Sequence, residues 1–267
     1  MSLREVKIPL IELLVERDLS EDVEQAKRMV LAGEVSGVDG MLTQPRMLID
    51  PACALRLKTQ SEFVSRGGDK LKGALADFAF DPRGLCCLDV GASTGGFTDC
   101  LLQHGAASVV AVDVAYGQFS WQLRNDERVT VIERTNIREA DPAALGAPFD
   151  LVVADVSFTS VRPLLSVFHA LLCEQATLIT LIKPQFEPAG KKANKDGVVT
   201  DPAAHVRALE EVIEAAHAAN LTPQAVTVSP LKGPKGNIEF FLLAQRATTP
   251  IPIDTQTIVT TAHTRLN

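Results

Sequence analysis

The chain has 267 residues, 46% of them apolar and 22% charged, with a formal net charge of −7 at pH 7. That length suits one large domain plus a small one, and the apolar share is ample for a core. The acidic balance excludes a globally cationic nucleic-acid binder, so any RNA contact has to come from local basic patches. Cysteines 53, 86, 87, 100 and 173 show neither a C-x-x-C pair nor metal-ligand spacing, which fits a reducing compartment with no structural disulfide or metal. Glu5, Glu12, Glu16 and Asp18 interrupt the N-terminal apolar residues. This makes the segment an amphipathic helix and not a signal peptide. No apolar run reaches the ~20 residues of a membrane span, and the expectation is a soluble, cytoplasmic protein.

In chain order, Ile8 to Arg17 and Val23 to Ala32 have helical periodicity, with Ser20 as the expected N-cap of the second helix and Gly33 as its stop. Short strands follow around Val35, Val38, Met47 to Ile49 and Ala54 to Leu57, separated by Asp39-Gly40 and Asp50-Pro51 turns. Residues 1–58 therefore read as a small α+β module, and 59–64 as a linker. Residues 65–247 alternate apolar strands (85–90, 108–113, 129–132, 150–155, 176–183, 224–229, 238–245) with amphipathic helices (68–79, 95–104, 117–126, 161–172, 202–219). That alternation predicts an α/β domain with a mostly parallel, doubly wound, Rossmann-like sheet, ending in an antiparallel hairpin through Lys232 to Asn237. The Thr-rich segment 248–267 shows no helical period and is expected to be a mobile tail.

The first strand of this domain breaks into a turn of small residues, Asp89-Val90-Gly91-Ala92-Ser93-Thr94-Gly95-Gly96-Phe97. Strand, glycine turn and helix make the first βα unit of a nucleotide-type domain, where glycines let backbone approach a ligand. The turn is neither G-x-G-x-x-G nor a P-loop, and it has no phosphate-cradling Lys. Ligands of open α/β sheets sit outside the strands' carboxyl ends. The second strand ends at Asp113, about 20 residues past the glycines, a spacing suited to ribose hydroxyls. The third is followed by Asn136, a candidate adenine contact or equally a turn residue. The fourth ends Ala154-Asp155-Val156-Ser157-Phe158, and the fifth Lys183-Pro184-Gln185-Phe186-Glu187. A lysine ending a buried strand either snorkels to solvent or serves a purpose that offsets its burial. Lys70 at a helix start and Glu239 between apolar residues are ambiguous singly, but all four point towards one pocket.

The D-x-G-x-x-x-G-G turn resembles the motif with which class I methyltransferases hold S-adenosylmethionine. Ser65-Arg66-Gly67-Gly68-Asp69-Lys70-Leu71, Gly91 to Thr98, Tyr116-Gly117-Gln118, Leu123-Arg124-Asn125-Asp126, Glu133-Arg134-Thr135-Asn136, the 154–158 and 183–187 segments and Gly236-Asn237-Ile238-Glu239-Phe240 resemble the TlyA family. These are bacterial rRNA 2′-O-methyltransferases, often labelled hemolysin A, with an FtsJ-like catalytic half. The resemblance implies a catalytic tetrad of Lys70, Asp155, Lys183 and Glu239. It implies S-adenosylmethionine as cofactor, bound by Asp89, Gly91, Ala92, Ser93, Thr94, Gly95, Gly96, Phe97, Asp113, Asn136 and Asp155. Ribosomal RNA or ribosomal subunits are the implied partners, and the N-terminal module is implied to be an RNA-binding domain similar to ribosomal protein S-four.

Such chemistry asks a weakly acidic ribose hydroxyl to lose its proton. A neutral Lys183 would serve as general base if desolvation and the Lys70 cation favoured the amine. A Lys183 that stabilises oxyanion charge while another base takes the proton stays open. The strand-four motif lacks the Asn/Asp-Pro-Pro-Tyr loop of amino-group methyltransferases, and there is no Pro-Cys nucleophile for pyrimidine C5. The N-terminal module departs from its family pattern, having Lys7-Ile8-Pro9-Leu10 and Ser20-Glu21-Asp22 where relatives carry Arg-Leu-Asp and Ser-Arg. Residues 1–60 hold eight Lys/Arg against ten Asp/Glu. An RNA face there has to be assembled from Lys7, Arg17, Lys27, Arg28, Arg46 and Lys58. Arg66 and the loop Lys191-Lys192-Ala193-Asn194-Lys195 are further candidates for phosphate contacts. Other readings are methylation of another structured RNA such as tRNA, or a non-catalytic RNA-binding or ribosome-assembly protein. A pore-forming hemolysin is disfavoured by the lack of a spanning segment.

Overall fold

The computed structural model describes residues 7–38, 40–57, 62–187, 196–246 and 248–266. Lys58, Lys191, Lys192, Lys195 and residues 59–61 of the expected linker lie outside the described residues. The chain divides into two compact units, residues 1–61 and 62–267.

The first unit runs β1 (Ile8–Pro9), α1 (Leu10–Glu16), α2 (Val23–Leu31), β2 (Val35–Gly37), β3 (Gly40–Met41), β4 (Leu48–Ile49) and β5 (Arg56–Leu57). β1 pairs antiparallel with β4, and β2 lies between β3 and β5. Leu10, Leu13 and Leu14 of α1 share a core with Ala26 and Val30 of α2 and with Val35 and Ile49. The N-cap of α2 is Asp22, whose carboxylate accepts from Gln25 N at 2.7 Å, and not the expected Ser20. A carboxylate here also favours the positive end of the helix dipole.

The second unit continues with α3 (Arg66–Asp77), β6 (Cys86–Val90), α4 (Gly96–Gln103), β7 (Ser108–Val112), α5 (Trp121–Arg124), β8 (Val129–Ile132), α6 (Pro142–Leu145) and β9 (Phe149–Ala154). It ends with α7 (Leu165–Leu171), β10 (Leu172–Ile182), α8 (Pro202–Ala218), β11 (Thr222–Val228), β12 (Phe240–Gln245) and α9 (Thr255–Leu266). Seven strands form one sheet in the order β11-β12-β10-β9-β6-β7-β8. Its ladders are parallel except where β12 inserts antiparallel between β10 and β11.

Side-chain alternation divides the core. Leu88, Val152, Ala154, Phe240 and Leu242 face one layer with Phe168 and Val212, while Cys87, Leu151, Val153 and Phe241 face Leu71, Phe97 and Leu101. A strand buried on both faces has to be apolar throughout, as these are.

Several elements differ from expectation: the 161–172 helix is α7 at Leu165–Leu171, and the 176–183 strand is β10, which starts already at Leu172. The 117–126 helix is only Trp121–Arg124, because Gly117 sits at φ +75° with its N–H donated to Glu133. A short helix at Pro142–Leu145 is held by Asp141 as N-cap. The 248–267 segment, expected to be a mobile tail, contains α9, with Val259 and Ala262 fully buried. Its threonines do not compete with the helix. The hydroxyls of Thr260, Thr261 and Thr264 donate to carbonyls one turn back at 2.8, 2.9 and 3.0 Å. Tertiary burial, invisible to periodicity, supplies the rest.

His205 of α8 and His263 of α9 hold these helices together, Nδ1 to Nε2 at 2.9 Å. Burial, reinforced by His263, pushes the His205 imidazole down to about 4. The unfolded chain takes up this proton near pH 6.5 and the folded one does not. Stability is therefore fully present above pH 6.5 and is lost as pH falls towards 4, by up to about 3 kcal/mol. Asp89 titrates with the opposite sign in this window, so the His205 contribution is read as a difference: from pH 7.5 to 4.5 the urea midpoint of wild type should fall relative to that of His205→Gln.

Candidate active site

Every functional candidate of the second unit that closes a strand lies at one edge of the sheet. β6, β7, β9 and β10 end there. Antiparallel β12 begins there, with Phe240 in register with Ile182. Glu239 and Lys183, one residue beyond that pair, are thereby brought to the same edge.

After β6 the chain turns through Gly91 at φ +82° and Ser93 at φ +50°. Asp113 fastens this turn, accepting from Ser93 N and Ala115 N at 2.7 Å each. A Cβ on Gly91 would sit 2.6 Å from the Asp155 carbonyl oxygen, so only glycine fits both the conformation and the space. Gly91→Ala should cost about 1–3 kcal/mol and close part of the cavity. Thermal melts together with cofactor titration would check both effects.

Asp89, just before the turn, is fully buried. Its Oδ2 accepts from Thr98 N at 3.0 Å and Thr98 Oγ1 at 2.7 Å, while Oδ1 has no partner among the described residues. Burial pushes this carboxyl up to about 7, Asp155 and Asp113 add to the shift, and the two Thr98 bonds oppose it.

In front of the turn opens a cavity of about 460 Å³, lined by Ser65, Arg66, Gly67, Lys70, Gly91, Ala92, Ser93, Thr94, Gly96, Phe97, Asp155 and Pro234. Two ion pairs stand at this edge. Lys70 Nζ is 2.6 Å from Glu239 Oε2, with side chains 9% and 1% exposed. Lys183 Nζ is 2.5 Å from Asp155 Oδ1 and donates to Ser157 Oγ at 2.8 Å. Buried ammonium groups need such partners, and each lysine has its own carboxylate.

The structure thus brings Lys70, Asp155, Lys183 and Glu239 to one edge, with Gly91, Ala92, Ser93, Thr94, Gly96 and Phe97 lining the cavity. Asp89, Asp113 and Gly95 support the turn from behind and do not line it. Asn136 is exposed, and its side chain spans a turn, donating to Glu139 at 2.9 Å and accepting from Arg138 N at 3.2 Å. Arg66 donates to the Lys232 carbonyl at 2.8 Å and lines the cavity. In the first unit Lys7, Lys27, Arg28 and Arg46 are exposed, but Arg17 clamps the carbonyls of Pro51 and Cys53. Its guanidinium serves the module's own turn. Ser157 and Gln185 entered the sequence reading only as motif letters. Their partnerships with Lys183 and Glu239 depend on residues 26 and 54 positions away, which no local pattern signals.

Residues 63–246 match the family described as FtsJ-like methyltransferase. The chain is 45% identical over 232 residues to the 16S/23S rRNA (cytidine-2′-O)-methyltransferase TlyA of Mycobacterium tuberculosis, covering 86% of each chain. It is 35% identical over 190 residues to the 23S rRNA (cytidine-2′-O)-methyltransferase TlyA of Campylobacter jejuni, covering 70% of this chain and 73% of that one. Among solved structures, a "putative hemolysin" from Streptococcus thermophilus superposes with a TM-score of 0.75 at 36% identity, over 98% of this chain and 97% of the other. On this family match and these identities, the chain belongs to the FtsJ-like methyltransferase family, in its TlyA group.

Proposed function

We propose that this protein transfers a methyl group from S-adenosylmethionine to the 2′-hydroxyl of a ribose in ribosomal RNA, with cytidine as the target nucleoside. The observation that carries this reading is the pair of buried lysine–carboxylate contacts beside the glycine-turn cavity. The residues present fit the cofactor. Gly91 lets the turn's backbone close on the Asp155 carbonyl with no side chain between, and the Asp89 and Asp113 carboxylates behind the turn favour a cation. Bound there, S-adenosylmethionine would supply an electrophilic sulfonium methyl.

The chain's own part is to hold a ribose hydroxyl and manage its proton. Lys183 first gives up the proton of its ion-paired form to solvent; as the amine it receives that of the ribose hydroxyl, and Asp155 and Ser157 hold the resulting ammonium in place. Lys70, fixed by Glu239, adds positive charge where the ribose oxygen becomes anionic. Rigid placement of the hydroxyl contributes through proximity. The first unit is the proposed RNA-binding module, using Lys7, Lys27, Arg28 and Arg46, with Arg66 contributing at the cavity. Lys191, Lys192 and Lys195 are proposed phosphate contacts on the grounds of charge alone.

The deciding experiment supplies purified protein and tritiated S-adenosylmethionine to ribosomal subunits from a strain lacking the gene. Modified positions are then mapped by resistance to alkaline cleavage, which reports a 2′-O-methyl directly. Label on a base, or none on ribose, would refute the reading.

A further inference from the structure

A third polar side chain stands beside the two ion pairs. Pro184 to Phe186 form one 3₁₀ turn directly after Lys183, closed by Phe186 N donating to the Lys183 carbonyl at 2.8 Å. The turn carries Gln185 to within 3.5 Å of Glu239, Nε2 to Oε1. Glu239 is 1% exposed and paired through its other oxygen with Lys70. A carboxylate can only accept, so the amide must present its NH₂ to Glu239, and this fixes which way the side chain points. The carbonyl end, Oε1, is then aimed away from Glu239. It is buried and has no hydrogen-bond partner among the described residues. A buried acceptor without a donor is unfavourable. This one is pre-oriented by an anchored carboxylate, two residues from the lysine that ends β10.

We propose that Gln185 positions the substrate: its side-chain carbonyl accepts a hydrogen bond from the target nucleotide while its amide nitrogen stays on Glu239. The inference rests on the 2′-O-methyltransferase reading and adds a residue outside the four charged ones. The donor is the exocyclic amino group of the target base, because the one free ribose hydroxyl of an internal nucleotide gives its proton to Lys183. An acceptor paired in this way discriminates sharply, because a nucleotide lacking the donor leaves the carbonyl buried and unpaired.

The test compares wild type with Gln185→Met, which keeps the side chain's length and removes both polar ends. The substrates are synthetic rRNA fragments spanning the mapped site. One carries cytidine at the target, one its 4-deaminated analogue, and one 2′-deoxycytidine for binding only. Gln185→Met should lower kcat/KM for the cytidine RNA roughly ten- to hundredfold, mainly through KM. S-adenosylmethionine affinity and melting temperature should stay at wild-type values. Wild type should lose a comparable factor on the analogue that lacks the donor, and Gln185→Met should lose nothing further on that same analogue. The coupling belongs to the 4-deaminated analogue, and coupling seen on 2′-deoxycytidine binding instead would overturn the assignment.

Full kcat/KM in Gln185→Met would overturn the proposal. So would a loss in kcat alone with unchanged RNA affinity, which is the signature of a disturbed Glu239. Independent, additive losses on both analogues would also overturn it. The wild-type arm on analogue RNA does not depend on how the variant folds. Wild type that methylates no ribose at all would sink the functional reading before any variant is compared.

Discussion

Lys183→Ala should lose methyl transfer by about 10²–10⁴-fold, the range for removing a positioned proton acceptor, while binding S-adenosylmethionine within about twofold of wild type. The cavity that would hold the cofactor is lined by the glycine turn, α3 and Asp155, and Lys183 is not among its lining residues. Its removal therefore takes away chemistry and leaves the seat. Single-turnover transfer of tritiated methyl to ribosomal subunits separates the two quantities, with calorimetry supplying the affinity. An alanine variant that methylates at the wild-type rate would refute the assignment. Lys183→Arg sharpens the result further, since a guanidinium keeps the positive charge but gives up no proton at working pH. An arginine variant as inactive as alanine identifies a proton acceptor. One that regains most of the rate identifies an electrostatic role.

Asp89→Asn should make the protein more stable at pH 8 and a poorer cofactor binder. The Asp89 carboxyl is fully buried and titrates at about 7, against about 3.9 in an unfolded chain. The unfolded state releases this proton first, so folding stability falls as pH rises from about 4 to 7. The accumulated cost is about 4 kcal/mol above pH 7. Asparagine removes that cost and still accepts from Thr98. Its NH₂ would then occupy the site of the unpartnered Oδ1 and forfeit about 1–3 kcal/mol. The net gain is about 1–3 kcal/mol at pH 8, shrinking towards zero near pH 5, where wild-type Asp89 is already neutral. Denaturant titrations at the two pH values read this directly, and an unchanged or lower midpoint at pH 8 would show that the buried charge is not costly. The same substitution weakens the negative region around the turn, and S-adenosylmethionine affinity should drop about tenfold. For wild type, affinity should fall as pH drops below 7 and Asp89 takes up its proton. A site that stores instability for function behaves in this way.

These two residues differ in how visible they are in the amino-acid sequence. Lys183 stands out locally, as a cation at the end of an apolar run and before a proline. Asp89 looks like any polar residue closing a strand, and its unusual proton affinity arises only once β6 is covered on both faces with Asp113 and Asp155 drawn near. Asn136 and Arg17 show the converse. Both have the right chemistry and neighbourhood for ligand contact, yet Asn136 closes its own turn and Arg17 ties down the 51–53 carbonyls.

What the sequence determined by itself was whatever short-range physics encodes. Period-two and helical patterning marked the alternating elements of the second unit. The glycines at 91, 95 and 96 marked the turn, and the segments around Lys70, Asp155, Lys183 and Glu239 marked the family. Only the tertiary structure decided which lysine pairs with which carboxylate. Lys70 and Glu239 are 169 positions apart, and they meet because β12 inserts antiparallel and starts at the edge where the parallel strands end. It also decided that the Thr-rich segment forms α9, that Asp89 holds its proton towards neutral pH, and that the Gln185 carbonyl has no partner among the described residues. Burial and through-space distance set all of these, and both come from the crossovers that order the sheet.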